Sequence, residues 1–342
     1  MDRITKELQE IFKLLTSRQQ EVIARRFGLG KTGPETLAKI GTRFGITRER
    51  VRQIEAAAMK PLKGEIEAHS MWGVFVRDAR TFLEGQGGVM AADQFLAYCA
   101  TRYAGIDAAQ VGLLAEATKS FAFYPGDRHF HSFYYVSKSN LRDARAFLDT
   151  WEKFLSDKKE SVLKGEYAAH LRSFVEGKKL APAHAQSFLA ASKKIHRNPY
   201  GDVGLAAWPE IKPQTIRDRI YLVLKKEGRP SHFRTIAEKI TAAKFDTRSA
   251  LAATVHNELI KDARFVLVGR GIYALKEQGY ETGTAREVIR KILDAQGALH
   301  PKDVILAAQK GWFFKPNTIL VNLQNRTHFE RLPDGRYQVL KA

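Results

Sequence analysis

A single cysteine, Cys99, is all the thiol chemistry that the 342 residues carry. It excludes an internal disulfide and any zinc site assembled from several cysteines. Long hydrophobic runs are absent as well, and no stretch approaches the roughly 20 apolar residues that a helix needs to cross a bilayer. The opening Met-Asp-Arg-Ile-Thr-Lys-Glu lacks the apolar run of a signal peptide. Acidic residues are scarce beside basic ones: 37 Asp and Glu against 56 Lys and Arg leave a net charge of +19. Solubility needs no such excess. A polyanionic partner explains it better, because each neutralised phosphate releases condensed counterions. Ribosome-bound and membrane-surface proteins share this charge, and charge alone does not separate them. With 44% hydrophobic and 10% aromatic residues the chain can build cores, so it is no disordered basic tail. It reads as a soluble intracellular protein without staples.

What is present is organised as helices and short hairpins. Residues 1–68 read as entirely helical. Leu8, Ile11, Leu14 and Leu15 give one face of period 3.6, and Val22, Ile23 and Phe27 a second. A glycine-rich loop at 28–35 breaks the pattern. A short helix then ends at Gly45, and Pro61 is placed to stop the helix after it. Further on, helical stretches come in pairs, each pair closing with two apolar runs around a Gly-containing turn. These hairpins fall at 121–136 around Pro-Gly-Asp, at 264–275 around Gly-Arg-Gly and at 328–340 around Asp-Gly. Residues 193–211, with Asn-Pro and two glycines but a poor strand signal, are a weaker fourth instance. Helices followed by a hairpin are the pattern of a winged helix. Cassettes fit at roughly 70–138, 141–210, 214–280 and 284–341. Their joints at 137–140, 208–213 and 281–284 are short enough for the cassettes to pack on one another. The expected fold class is mainly α: a helix-turn-helix domain followed by an array of small winged-helix cassettes with short β-hairpin wings.

One stretch, FGITRERVRQIEAAAMKPL at 44–62, concentrates long polar side chains on a short helix. Gly45 ends the preceding helix, and Thr47 is placed to cap the next by accepting a free backbone N–H. Glu49 in the first turn suits the helix dipole. Val51, Ile54 and Ala58 fall on one stripe and are the expected buried face. Arg48 and Arg52, like Glu49 and Gln53, are i,i+4 neighbours on the open side. A short helix, a tight turn and a second helix with polar groups on its first turns make a helix-turn-helix, whose second helix enters the major groove. Arginine can donate a fork to guanine, glutamine can bond adenine twice, and glutamate can accept from a cytosine amino group. A carboxylate beside phosphates is costly, so its presence argues for discrimination more than raw affinity. The alternative is a solvated face covered by intrahelical ion pairs.

The residues LTSRQQEVIARRFGL and TLAKIGTRFGITRERVRQIEAAAMKPL resemble region 4 of the sigma-70 family of bacterial transcription initiation factors, over about residues 12–63. The resemblance implies that the second helix recognises a promoter −35-type element in double-stranded DNA. It puts base contacts on Arg48, Glu49 and Gln53, with Arg52 close to the bases or the backbone. Arg18 and Thr47 match backbone-contacting positions. The same family region docks on the flap of the RNA polymerase β subunit, so bacterial RNA polymerase is an implied partner. No segment resembles the family's region 2, which opens the −10 element with exposed aromatics. A sigma-like DNA reader attached to something else is therefore expected, rather than a complete sigma factor.

Residues 216–280 resemble the HARE-type helix-turn-helix through HFRTIAEKI, VHNELIKD and RFVLVGRGIYAL. That winged-helix family is shared by the bacterial polymerase delta subunit, chromatin regulators and restriction systems, and the implied role is DNA binding or protein docking. In this cassette Lys244 and Arg248, flanking the second helix, are expected at phosphates, which dominate such interfaces numerically. Arg270 at the hairpin tip is expected at a minor groove or phosphate, or as an ordinary solvated turn residue. Phe265 and Tyr273 are expected in the core.

Signals for an enzyme fail one by one. Gly-Leu-Gly-Lys-Thr-Gly at 28–33 is not a phosphate loop, since Arg25 stands where its first glycine belongs and no strand precedes it. His129 and His131 with Asp127 have metal-like spacing but no further ligand cluster. Asp202 with Glu210 and Lys212 resembles a nuclease pattern only by chance. The expectation is a non-enzymatic, cytoplasmic, nucleoid-associated DNA-binding transcription protein without metal, cofactor, membrane or small-molecule substrate. The alternatives are a polymerase accessory adaptor with mainly non-specific DNA binding, and an accessory DNA-binding part of a restriction or defence system.

Overall fold

The computed structural model describes residues 3–30, 33–68, 70–280, 283–309 and 311–340. The chain forms two compact units, one of residues 1–196 and 204–206, the other of 197–203 and 207–342. It is mainly helical, with small hairpins. Among the described residues, no helix is long and apolar enough to cross a membrane.

The first unit begins with α1 (Arg3–Phe12), α2 (Ser17–Phe27), α3 (Leu37–Phe44) and α4 (Arg48–Ala68). Thr16 and Gln19 form a reciprocal capping box at the start of α2, and Gly28, left-handed at φ 74°, ends it. Two expectations fail here. Leu14 does not share the face of Leu8, Ile11 and Leu15: α1 stops at Phe12, the helical period lapses, and Leu14 is 56% exposed. Pro61 does not end α4, which runs on to Ala68. A proline inside a helix costs about 3 kcal/mol. Leu62 and Ile66, on one face with Ala58, are fully buried beyond it, and burial at about 1.5–3 kcal/mol for each large side chain offsets that cost.

α5 (Ser70–Gly85), β1 (Val89–Ala91), α6 (Ala92–Arg102), α7 (Ala108–Thr118), β2 (Ala122–Tyr124) and β3 (Phe133–Tyr135) follow. Their antiparallel sheet has the order β1-β3-β2. This cassette shares its core with the amino-terminal helices. Leu8, Ile11, Leu62 and Ile66 of the amino-terminal helices and Trp72, Phe75, Phe95 and Leu114 of the cassette bury in one cluster. α8 (Lys138–Asp157), α9 (Lys159–Ser161), a π turn at Val162–Glu166, α10 (Tyr167–Gly177) and α11 (Pro182–Ala191) complete the helices of this unit. α11 packs on β1, where Ser187 Oγ donates to the Val89 carbonyl at 2.6 Å. The weak hairpin exists as β4 (Ile195–Arg197) and β5 (Val203–Leu205). Its turn is set by the Asn198 side chain, which accepts from the N–H groups of Tyr200 and Asp202 at 2.9 Å each.

The second unit contains α12 (Ile216–Glu227), β6 (Ser231–His232), α13 (Phe233–Ala243), α14 (Ala252–Lys261), β7 (Phe265–Gly269) and β8 (Ile272–Leu275), with sheet order β6-β8-β7. Then come α15 (Ala285–Gln296), α16 (Pro301–Gln309), α17 (Pro316–Leu323), β9 (Phe329–Arg331) and β10 (Tyr337–Val339). Leu299 bridges Tyr337 on the outer side of β10, standing where a first strand would. Three cassettes thus share one order: helix, strand, helix, helix, hairpin, with the first strand pairing the last. The sequence pattern shows only helix pairs and hairpins. The extra strand escapes it because β1 has three residues, β6 two, and the last cassette a single bridge. Thr215 and Thr284 open α12 and α15 with capping boxes. The two cassettes touch within this unit: Phe313 N–H donates to the Val268 carbonyl at 2.8 Å, closing part of the free edge of β7.

Candidate nucleic-acid interface

The geometry of the helix-turn-helix follows from two glycines. Gly45, at φ 65°, is the left-handed cap that ends α3, its N–H reaching back to Gly41 and Thr42 carbonyls. Gly41 lies where the turn crosses α3, so close that an added Cβ would stand 2.6 Å from the Ile46 carbonyl oxygen. Ile46 N–H in turn donates to the Gly41 carbonyl at 3.0 Å. α4 then starts on Thr47, whose hydroxyl accepts from Arg50 N–H at 3.2 Å, as the sequence predicts. Val22, Ile40 and Val51 are fully buried in a small core, with Ile54 packed against it and Ala58 entering the larger one.

The open side of α4 presents the predicted readers. Thr47, Arg48, Glu49, Arg50, Arg52 and Gln53 are all exposed. They are not independent. Arg52 bonds Glu49 through Nη2 at 2.7 Å and Nε at 2.9 Å, a pair in which each side chain is 59% exposed. The hydrogen bond from Arg52 holds the Glu49 carboxyl below its ordinary range. Arg50 Nη1 donates to Gln53 Oε1 at 3.0 Å. The i,i+3 spacing, rather than the i,i+4 spacing singled out in the sequence, sets both pairs. Arg50 was not among the predicted contacts, although its exposure and its bond to Gln53 make it part of the same surface.

Arg18 sits at the start of α2 and reaches the end of α3. Its guanidinium carbon lies 3.8 Å from the centre of the Phe44 ring, and Nη2 donates to the Phe44 carbonyl at 3.4 Å. Exposed and fixed beside the turn, it joins the α4 readers on one module. Behind them Glu35, 7% exposed, is ringed by Arg43 at 3.4 Å, Lys39 at 3.7 Å and Arg25 at 3.9 Å. Arg26 bonds Glu55 at 3.2 Å. Sequence reading passed over Glu35, whose role follows only from the meeting of cations from two helices, α2 and α3.

The remaining predicted contacts lie in the other unit. Lys244, left-handed at φ 52°, caps α13, and Arg248 follows in the connection to α14, so both lie beyond the second helix rather than on either side of it. Asp246 between them accepts Arg248 N–H and pairs with Arg219 at 2.8 Å, so the loop is tied to α12. Arg270 is exposed at the hairpin tip beside Gly271, φ 71°. Next to it Gly269 faces Phe313, where a Cβ would meet the carbonyl oxygen at 2.7 Å. The tip is open while the edge of that hairpin is partly occupied by protein. Phe265 and Tyr273 are core residues, as expected.

The features that resemble enzyme sites have structural employment. Asp127 accepts from the Tyr124 hydroxyl at 2.7 Å and from the N–H groups of His129 at 2.7 Å and Phe130 at 2.8 Å. These bonds, the tyrosine's foremost, hold its carboxyl down to about 2 and shape the loop that carries both histidines. Asp202 is paired with Lys226 at 2.8 Å and bonded by Asn198. Of the glycine-rich loop at 28–33, Lys31 and Thr32 lie outside the described residues.

Residues 11–64 match the family Sigma-70, region 4. That segment is a DNA-binding helix-turn-helix of a kind that serves transcription. No solved structure matches the chain.

Proposed function

We propose that the chain is a sequence-specific DNA-binding transcription protein that reads a promoter −35-type element through α4 and works with bacterial RNA polymerase. The observation that carries this reading is the exposed fan of Arg48, Glu49, Arg52 and Gln53 on a region-4-type module. Arg48 and Gln53 donate to base edges, Glu49 accepts from a cytosine amino group, and Arg52 exchanges part of its bond to Glu49 for a base or phosphate. Thr47 keeps its lone pair on Arg50 N–H and has its own O–H left to donate to a phosphate, beside Arg18. In the second unit Lys244, Arg248 and Arg270 add phosphate contacts, in keeping with the HARE-like sequence of 216–280. The β flap of the polymerase is the protein partner that the region-4 resemblance implies. The reading includes no catalytic step.

The test is selection of bound duplexes from a random pool, for the full chain and for Arg48→Ala and Gln53→Ala. Each substitution is expected to relax preference at one position, at about 1–3 kcal/mol of discrimination. Variants that return the parental motif would sink the assignment. A second reading, a polymerase adaptor that binds DNA without selection, is favoured by one observation: α7, the third helix of the first cassette, is spent on packing against α2 and α4 rather than left open to DNA. A steep salt dependence with no preferred sequence would support it.

A further inference from the structure

The third helix of the repeated cassette meets two fates. In the first cassette its stripe of Gln110, Leu113 and Ala117 is buried. Matching the buried positions Val111 and Ala115 of α7 with Ile319 and Leu323 of α17 sets Gln110 against Thr318 and Leu113 against Val321. In the last cassette the stripe is open: Asn317, Thr318 and Gln324 are exposed, and Val321 is 58% exposed.

The chemistry of that open stripe is unusual for this chain. α17, Pro-Asn-Thr-Ile-Leu-Val-Asn-Leu, has no charged residue, although 27% of the chain is charged. A merely solvated face is commonly laced with i,i+4 ion pairs, and the covered face of α7 is mostly apolar, Leu113 and Ala117 beside a glutamine that accepts the Asp107 N–H. This one is neither. Asn317, Val321 and Gln324 follow at i, i+4 and i+7 and share a face. Among the described residues no hydrogen bond engages the Asn317 or Gln324 amide or the Thr318 hydroxyl. Exposed Lys315 and Arg326 bracket the helix, with Arg331 on β9. The nearby acid, Glu330, is bonded by Gln338 at 2.9 Å.

From these residues we infer that α17 is a second DNA-reading helix, one suited to A·T pairs. An amide bonds adenine twice along its major-groove edge, a hydroxyl serves either partner, and an apolar group contacts the thymine methyl. Val321 supplies the last of these, and Lys315 and Arg326 meet phosphates. An apolar protein lid would leave the Asn317 and Gln324 amides buried without partners, at a cost that base edges and interfacial water avoid. The inference rests on the reading of the chain as a DNA-binding protein but on residues which that reading does not use.

The test is duplex selection with the full chain, with Asn317→Ala/Gln324→Ala and with Arg48→Ala/Gln53→Ala, each checked for an unchanged melting temperature. The wild type is expected to select two separate blocks. Asn317→Ala/Gln324→Ala is expected to lose the A·T block alone, with about a 10- to 100-fold drop in affinity for sites that contain it. A duplex carrying 5-iodouracil in that block is expected to photo-crosslink within the peptide that contains α17. A double variant that keeps both blocks and full affinity, or a crosslink that falls elsewhere, overturns the inference. If Arg48→Ala/Gln53→Ala changes nothing while the α17 variant loses its block, the reading through α4 fails and this one stands. A wild type that selects no sequence overturns both, and leaves the α17 stripe to a protein partner.

Discussion

Replacing Gly41 by alanine tests the helix-turn-helix without touching any of the side chains proposed to contact DNA. Taken alone, α3 should gain, since glycine in a helix interior costs about 1 kcal/mol relative to alanine. The turn opposes this. The new Cβ would lie 2.6 Å from the Ile46 carbonyl oxygen and 3.4 Å from the Thr47 carbonyl carbon. Both are backbone atoms, so no rotamer change relieves the clash. The Ile46 N–H bond to Gly41 at 3.0 Å ties the turn to the same place. Opening that contact by several tenths of an ångström costs about 1–3 kcal/mol as overpacking, which leaves a net destabilisation of roughly 0–2 kcal/mol after the propensity gain. Function should suffer more. Thr47 and Arg48 follow directly on the displaced residues, and hydrogen bonds to bases tolerate only about 2.7–3.2 Å between heavy atoms. Thermal unfolding should show a melting point lowered by up to a few degrees. Fluorescence anisotropy should show about a tenfold weaker grip on the selected duplex, about the loss of one good base contact, with binding to unrelated DNA little changed. A Gly41→Ala protein that melts higher than the parent and binds its site equally well would refute the argument.

Two more outcomes follow from the core and from one loop. Deleting residues 1–68 should expose Trp72, Phe75, Val111 and Leu114, which bury against the deleted helices, so the remnant should bind a hydrophobic dye and aggregate; a remnant with native circular dichroism and no dye binding would contradict the shared core. Asp127 has its carboxyl lowered from the ordinary 3.8 to about 2, so its contribution to the folded hairpin is complete above pH 4 and fades as pH falls toward 2. Asp127→Asn should flatten that part of the acid unfolding curve, followed by near-ultraviolet circular dichroism, and an unchanged curve would remove Asp127 from the account.

Much of the helix-turn-helix was legible from the chain alone, because its signals are local. Gly45 as a left-handed stop, Thr47 as a cap and Val51 and Ala58 as a buried stripe depend on neighbours within one or two turns. Gly271 and Gly335, at the tips of two hairpins, announce themselves in the same way. What was not legible depends on distant partners. Nothing near Pro61 says that Leu62 and Ile66 will find Trp72 and Leu114, and without that burial the proline would end the helix. Nothing in Gln110, a polar residue at 6% exposure, forecasts that α7 is covered by α2 and α4. Leu14 was misplaced because a period was extended one turn past the end of α1. The first strands were missed because a two-residue strand such as Ser231–His232 has no alternation to detect.

The 21 residues of α4 give a rod of about 30 Å. One end carries the exposed Arg48, Glu49, Arg52 and Gln53, and the other is embedded in the core that the amino-terminal helices share with the first cassette. The module is therefore a cantilever clamped at its base. A misfit with a misaligned groove then falls in part on the duplex, whose cost of bending or rolling varies with sequence. Bases that no side chain touches would then influence which sites are occupied.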